Sequence, residues 1–326
     1  PDLTVTISAH YSTQRGDPRA STTTISLPLA MCGKVVAPLK NSDHKFTLNT
    51  NRPPPPLTAL FEDIVGGGEA NAALANAITF MAHSGQDATI IVSKNSGRYR
   101  VQGGCFEALW LLGSELARRL TVHFANAPSE GAEPFEITCS DELPLAPYFS
   151  LVDRHHACRR ALHTTRADLE AKGTLFRATQ KRLVVRFKDR NPASVDELGA
   201  LLTRTYDGII EATEGGERQE RELAAAAAAL GAGTQLVLLL VRYTFALDDE
   251  MYLLLRGHWS PTVVDGLTVG WEETTELALT YLNKTVLGKG GKDATATLPQ
   301  GAISQSADTE RLKKVMVGVC ERLAKR

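Results

Sequence analysis

The period of the apolar positions changes along the chain, and each change marks a new kind of element. Leu3, Val5 and Ile7 alternate with Asp2, Thr4, Thr6 and Ser8, the period of a half-buried strand. Arg15-Gly16-Asp17-Pro18 is turn chemistry. The threonine-rich Ser21 to Leu27 reads as the return strand, with Val35 and Val36 close behind. Two or three strands are marginally stable alone, so residues 1–38 read as the last part of a β-sandwich belonging to a longer chain. Lys45 to Leu48 is a further strand. Pro53 to Pro56 fits neither a sheet interior nor a helix interior and marks a boundary. Anchored by Leu57, Leu60 and Phe61, it reads as a stiff connector; a PxxP-type ligand is the alternative.

Ala77 to Ala82, Thr89 to Val92, Arg98 to Gln102 and Phe135 to Cys139 are predicted strands. Phe106, Leu109, Trp110, Leu112 and Leu116 form the stripe of a helix among them. This mixture predicts a small α/β platform over residues 39–145, with Tyr99, Phe106 and Trp110 in its core.

The period then becomes helical. Leu162, Leu169, Phe176 and Leu183 recur every seven residues, and Val184 and Phe187 widen the stripe. This helix is predicted to begin near Tyr148, with a break near Gly173, and to stop at Asn191-Pro192. Ser194 and Glu197 have the spacing of a capping box that opens the next helix, whose stripe is Leu198, Leu201, Leu202, Thr205, Ile209 and Ala212. Residues 146–215 thus form a predicted hairpin with Phe176, Leu183, Phe187, Leu198 and Leu202 in its core. Gly215-Gly216 is read as a turn into a C-terminal helical region, 216–326. That region holds an alanine-rich helix over 217–245, a short helix capped by Asp248 or Asp249, a helix over Trp271 to Leu287 stopped by Gly288, a polar Gly-rich loop near 288–308, and a last amphipathic helix on Leu312, Val315, Met316, Val319 and Leu323. The predicted fold class is α+β and multi-domain.

Charge sharpens the picture at the hairpin. Arg177 to Arg190 carries six basic residues and one acid, and Ser194 to Glu222 carries eight acids and three arginines. Arg177, Lys181, Arg182 and Arg186 are therefore candidates for docking a protein partner or the chain's own acidic face. A membrane-surface role for Lys181, Arg182 and Arg186 is the alternative. The overall net charge of −1 argues against general nucleic-acid binding. Five cysteines without a CxxC fit a reducing compartment better than a disulfide scaffold. Leu223 to Val241 lacks charge, but its alanines and its Gly231, Gly233, Thr234 and Gln235 favour a buried bundle helix over a membrane span.

Residue patterns that carry chemistry are sparse. His155, His156, Cys158 and His163 cluster, but no second ligand pair completes a zinc site. Gly288-Lys289-Gly290-Gly291-Lys292 lacks the phosphate-loop order, and no GxSxG is present. The expectation is a chain without catalytic residues, cofactor or metal.

Several blocks are similar to a known family. Asp43-His44-Lys45-Phe46-Thr47-Leu48-Asn49-Thr50-Asn51-Arg52-Pro53-Pro54, then Ser93-Lys94-Asn95-Ser96-Gly97-Arg98-Tyr99-Arg100-Val101-Gln102, resemble the Bardet–Biedl syndrome 9 (parathyroid-hormone-responsive B1) family. So do Phe176-Arg177-Ala178-Thr179-Gln180-Lys181-Arg182-Leu183, Gly270-Trp271-Glu272-Glu273-Thr274 and Cys320-Glu321-Arg322-Leu323, collinear from about residue 39 onward. The resemblance implies an ear domain like those of clathrin adaptors, here only as its last strands, then a platform, a hairpin and a C-terminal helical region. It also implies a scaffold subunit of the BBSome, a coat-like complex of cytoplasm, basal body and cilium. The expected partners are other BBSome subunits and, indirectly, an Arl6-type small GTPase, the ciliary membrane and membrane-protein cargo. The alanine-rich 223–232 stretch and the 288–293 loop depart from the family pattern.

Overall fold

The structure is a computed structural model that describes residues 4–65, 75–93, 96–125, 134–189, 195–266, 269–288 and 308–326. Its first element is the hairpin of β1 (Thr4–Ser12) and β2 (Pro18–Ser26), antiparallel with Val5 opposite Ile25. Among the described residues no other strand joins this pair. Val5, Ile7, Tyr11 and Ile25 consequently stay exposed.

The next six strands build one antiparallel sheet: β3 (Gly33–Val36), β4 (His44–Thr50), β5 (Ala77–Ala82), β6 (Asp87–Val92), β7 (Arg98–Gly103) and β8 (Ile137–Cys139), in the order β3-β5-β6-β7-β4-β8. Val35 and Val36, expected beside the first hairpin, instead pair with Phe80 and Thr79 at the edge of this sheet. The short α1 (Leu57–Leu60) and α2 (Glu62–Val65) follow the proline run, and Leu57, Leu60 and Phe61 are buried anchors. The helix α3 (Leu109–Ala125) lays Leu109, Leu112, Leu116 and Leu120 against the sheet. Arg119 on α3 sits over the Phe61 ring and reaches Asp63 and the Leu60 carbonyl, tying the connector to the platform. Tyr99, Phe106 and Trp110 are all buried in this core.

Two long helices follow: α4 (Leu145–Lys188) and α5 (Asp196–Thr244). At a rise of about 1.5 Å per residue they run roughly 66 and 74 Å. Neither predicted glycine break occurs: α4 continues through Gly173, and α5 continues through Gly215-Gly216. A glycine inside a helix costs only about 1 kcal/mol relative to alanine, too little to interrupt helices packed along their length. The alanine-rich segment is therefore the inner half of the second hairpin helix and not a separate element. The Asn191-Pro192 stop and the Ser194 cap lie outside the described residues.

The inner half of α5 is the one helix in the described chain long and apolar enough to cross a membrane, and 67% of that window is buried. Leu236 to Val241 are buried on every side, between α3 and β8 on one flank and α6 (Asp249–His258) on another. Gly233 makes this possible, since a Cβ there would lie 2.6 Å from Leu151 of α4. Asp248 caps α6, accepting from the Met251 amide at 2.7 Å. The chain then forms α7 (Trp271–Thr285) and α8 (Glu310–Leu323), which pack together through Leu279, Leu282, Leu312, Met316 and Val319. The Gly-rich loop expected near 288–308 falls almost wholly outside the described residues. All five cysteines are free thiols.

Candidate functional site

The root of the hairpin holds the densest buried polar constellation among the described residues. His155 and Arg159 stand one turn apart on α4, on the face that also buries Leu151, Val152 and Leu162. Opposite them lie Asp265, in the loop before α7, and Glu272 and Glu273 in the first turn of α7. His155 Nδ1 is 2.8 Å from Glu272 Oε1, and its Nε2 is 2.8 Å from Asp265 Oδ2. Arg159 donates to Glu272 at 3.0 Å and to Glu273 at 2.7 Å. Glu273 also accepts from the Gly270 amide at 2.8 Å, closing the orphan N–H at the helix start. Gly270 is required here because a Cβ would overlap the Arg159 guanidinium.

Two cations thus face three carboxylates. Burial by itself disfavours the imidazolium, but hydrogen bonds to Asp265 and Glu272 outweigh it and raise the His155 pKa to about 9. Burial pushes the Asp265 carboxyl up, and the His155 contact more than reverses this, leaving it below the ordinary range. His155, Asp265 and Glu272 have ligand atoms within 4.8 Å of one another. A metal needs a ring nitrogen with a free lone pair, and here each nitrogen already points at its own carboxylate. The arrangement is an ion-pair lock. Of the histidine cluster seen in the sequence, the lock recruits His155 alone; His156 is buried, Cys158 half-buried and His163 exposed.

A second lock lies beside it. Trp259 Nε1 donates to the Tyr148 hydroxyl at 2.9 Å, and that hydroxyl is 3.1 Å from Thr234 Oγ1. Tyr148 is on α4, Thr234 on α5 and Trp259 just past α6, so one phenol joins the three. Trp271 Nε1 donates to the Ser260 carbonyl at 2.8 Å, which secures the same loop to α7.

Beyond this root the hairpin becomes a bare arm. Among the described residues from 163 to 225, Thr179, Thr205 and Ala212 alone are buried in the seam. Phe176, Leu183, Leu198 and Leu202 are half-buried between the helices, and Phe176 meets the Tyr206 ring at 6.3 Å. Phe187, expected in the hairpin core, is 71% exposed. It follows Leu183 by four residues, and over one turn at the end of α4 the narrow seam has already rotated away from it. Leu175, Val184, Val185, Tyr206 and Ile210 are also exposed.

The basic residues separate on this arm. Arg177 is exposed and donates to the Gly173 carbonyl at 3.2 Å. Lys181, Arg182 and Arg186 line one groove with Ala178, Val185 and Leu198. Among the described residues no carboxylate is in ion-pair range of Lys181 or Arg182. Arm-to-arm pairing occurs lower down, at Arg166–Glu220, 2.8 Å.

Sequence reasoning noticed the histidines but missed their carboxylate partners. The usable signal was Gly270 directly before a Trp-Glu-Glu helix start, with His155 and Arg159 one turn apart on an apolar face. Nothing local shows that these segments, separated by 117 residues, meet.

Comparison with known proteins matches successive parts of the chain. A family model described as the PTHB1 platform domain covers residues 28–141, the PTHB1 hairpin covers 142–245, and the PTHB1 C-terminal helix bundle covers 247–323. The hairpin boundary near 245 agrees with the end of α5, not with Gly215-Gly216. Relatives named Protein PTHB1 from Xenopus laevis, Mus musculus and Homo sapiens are 35%, 34% and 33% identical over 310 residues, 95% of this chain. The chain spans about a third of those relatives' length, 36% of the frog protein and 34% of the mouse and human proteins. With platform, hairpin and helix bundle matched in order, the chain belongs to the PTHB1 family.

Proposed function

We propose that the chain is a non-enzymatic scaffold and adaptor subunit of the BBSome, the coat-like complex that carries membrane proteins into and out of cilia. It acts in the cytoplasm, at the basal body and at the ciliary membrane, by assembly and not by turnover. Its direct partners are other BBSome subunits; an Arl6-type small GTPase, the membrane and its cargo are reached through the complex. β1 and β2 are the closing strands of an adaptin-ear-like sandwich.

One observation carries this reading: the arm formed by residues 163–225. It extends roughly 40 Å past the locked root and, among its described residues, has three buried positions. It also exposes Leu175, Val184, Val185, Phe187, Tyr206 and Ile210. Val184, Val185 and Phe187 fall within four consecutive positions at the end of α4, and apolar side chains exposed together on a narrow element supply anchors for a partner surface. The most elaborate polar site, by contrast, is a closed ion-pair lock.

The test is co-expression with tagged sister subunits. The intact chain is expected to be retained with them, and deletion of residues 163–225 is expected to abolish retention while the platform remains folded. Equal retention of both forms would refute the role of the arm. A second reading, direct membrane binding, is favoured by the exposed Lys181 and Arg182, since a free basic residue near an anionic surface is worth about 1 kcal/mol. Flotation of the chain without partners on anionic liposomes separates the two, and binding there that Lys181→Glu with Arg182→Glu abolishes would establish the membrane reading.

A further inference from the structure

The groove on the flank of the arm has a floor of one kind and a rim of another. Ala178, Val185 and Leu198 supply apolar carbon; Lys181, Arg182 and Arg186 supply positive charge. Val185 is 47% exposed and Leu198 half-buried, so the floor is open to solvent. Resting on the scaffold reading above, we infer that this groove receives an acidic amphipathic helix contributed by a different protein of the assembly.

The geometry selects a helix. Ala178, Lys181, Arg182 and Val185 follow the three- and four-residue spacing of a single face of α4. Ala178 and Val185 lie two turns apart, about 10 Å. With Leu198 on the facing α5, these positions form the channel between two antiparallel helices, into which the side-chain ridge of a third helix packs. A bilayer surface offers no such ridge.

The charges select its sign. The arm possesses acids, yet it directs the Arg166–Glu220 pair to its lower part and leaves Lys181 and Arg182 without a carboxylate among the described residues. Arg186 extends the same rim. The fitting ligand carries one aliphatic or aromatic anchor for Val185 and Leu198. Carboxylates one turn to either side of that anchor meet Lys181 and Arg182. Desolvating these pairs around an apolar anchor is the arrangement that gives a contact both specificity and lifetime.

The experiment places a photo-crosslinking phenylalanine analogue at Ala178 in the full chain, assembles the complex, irradiates it and identifies the captured segment by mass spectrometry. The expected capture is a helical segment of another subunit with acids spaced four residues apart around an apolar residue. Lys181→Glu with Arg182→Glu should lower its yield by at least about tenfold, equivalent to about 1.4 kcal/mol. Lysines at the two captured acids should restore it. Both substituted residues are exposed, so unchanged helicity by circular dichroism is expected and controls for folding. Capture of a second copy of this chain, of lipid, or of a segment lacking acids overturns the inference, as does absence of capture in a complex that contains the chain. In those cases the scaffold reading stands. Failure of the wild-type chain to enter any complex overturns both.

Discussion

His155 and Glu272 are joined ring to carboxylate at 2.8 Å, with His155 fully buried and Glu272 only 2% exposed. The bond fastens the root of α4 to the first turn of α7, an electrostatic joint between the hairpin and the C-terminal bundle. Removing one member of a buried pair leaves the other charge stranded, which commonly costs about 3–5 kcal/mol.

This joint gives stability a defined pH dependence. The folded pKa of His155, about 9, lies above the ordinary value of 6.5. The contribution is therefore complete below about 6.5 and is lost as pH rises through about 9. Its size is on the order of 3 kcal/mol from a shift of this extent. Urea unfolding at a series of pH values should show stability falling between neutral and mildly alkaline pH. In His155→Ala that alkaline decline should flatten, over a lower baseline. An identical slope in both proteins would remove His155 as its source.

Gly270→Ala should loosen the same joint from the other side. The added methyl group overlaps the Arg159 guanidinium, and overpacking of this kind costs about 1–3 kcal/mol. Arg159→Ala should be destabilising alone, but combining it with Gly270→Ala should add less than the sum of the two. Simple additivity in thermal melts would mean that the residues do not share a space.

Gly173 and Gly215 offer a test with the opposite sign. Both are inside continuous helices, and a Cβ at either would meet nothing within 4 Å. Alanine at each is expected to raise stability by about 0.5–1 kcal/mol. Destabilisation at Gly215 would argue for the turn that the sequence pattern implied.

Within the arm, Phe176→Ala and Phe187→Ala should separate. Phe176 touches Tyr206 across the seam, whereas Phe187 is 71% exposed. The first should lower unfolding stability by roughly 1–2 kcal/mol, short of the loss for a fully buried Phe. The second should stay within about 0.5 kcal/mol. Differential scanning calorimetry of the two variants decides the order.

Local pattern carried much of this fold. Alternation placed the strands within a few residues, and the seven-residue repeat from Leu162 to Leu183 found α4. The errors have a common cause. Gly173 and Gly215-Gly216 look like interruptions in the sequence because propensity is local, while helix continuity is decided by packing along the partner helix. The sequence pattern groups Val35 and Val36 with their sequence neighbours because nothing in a four-residue strand names its hydrogen-bond partner. Phe187 fell outside the core because the seam of a two-helix arm is narrower than the stripe of a globular helix. The ion-pair lock was the least legible feature, since its halves lie on α4 and α7 and the pairing exists only after folding.

The continuity of α5 has a mechanical consequence. The same unbroken rod forms one side of the arm tip near Leu198 and, some 40 residues later, runs beside β8 at the edge of the platform sheet. With Tyr148, Thr234 and Trp259 clamping its inner half, the rod has a fulcrum. A sideways force at the tip is delivered to the platform as torque on a lever about 54 Å long. A partner gripping the tip would thereby help set the angle at which the platform is held.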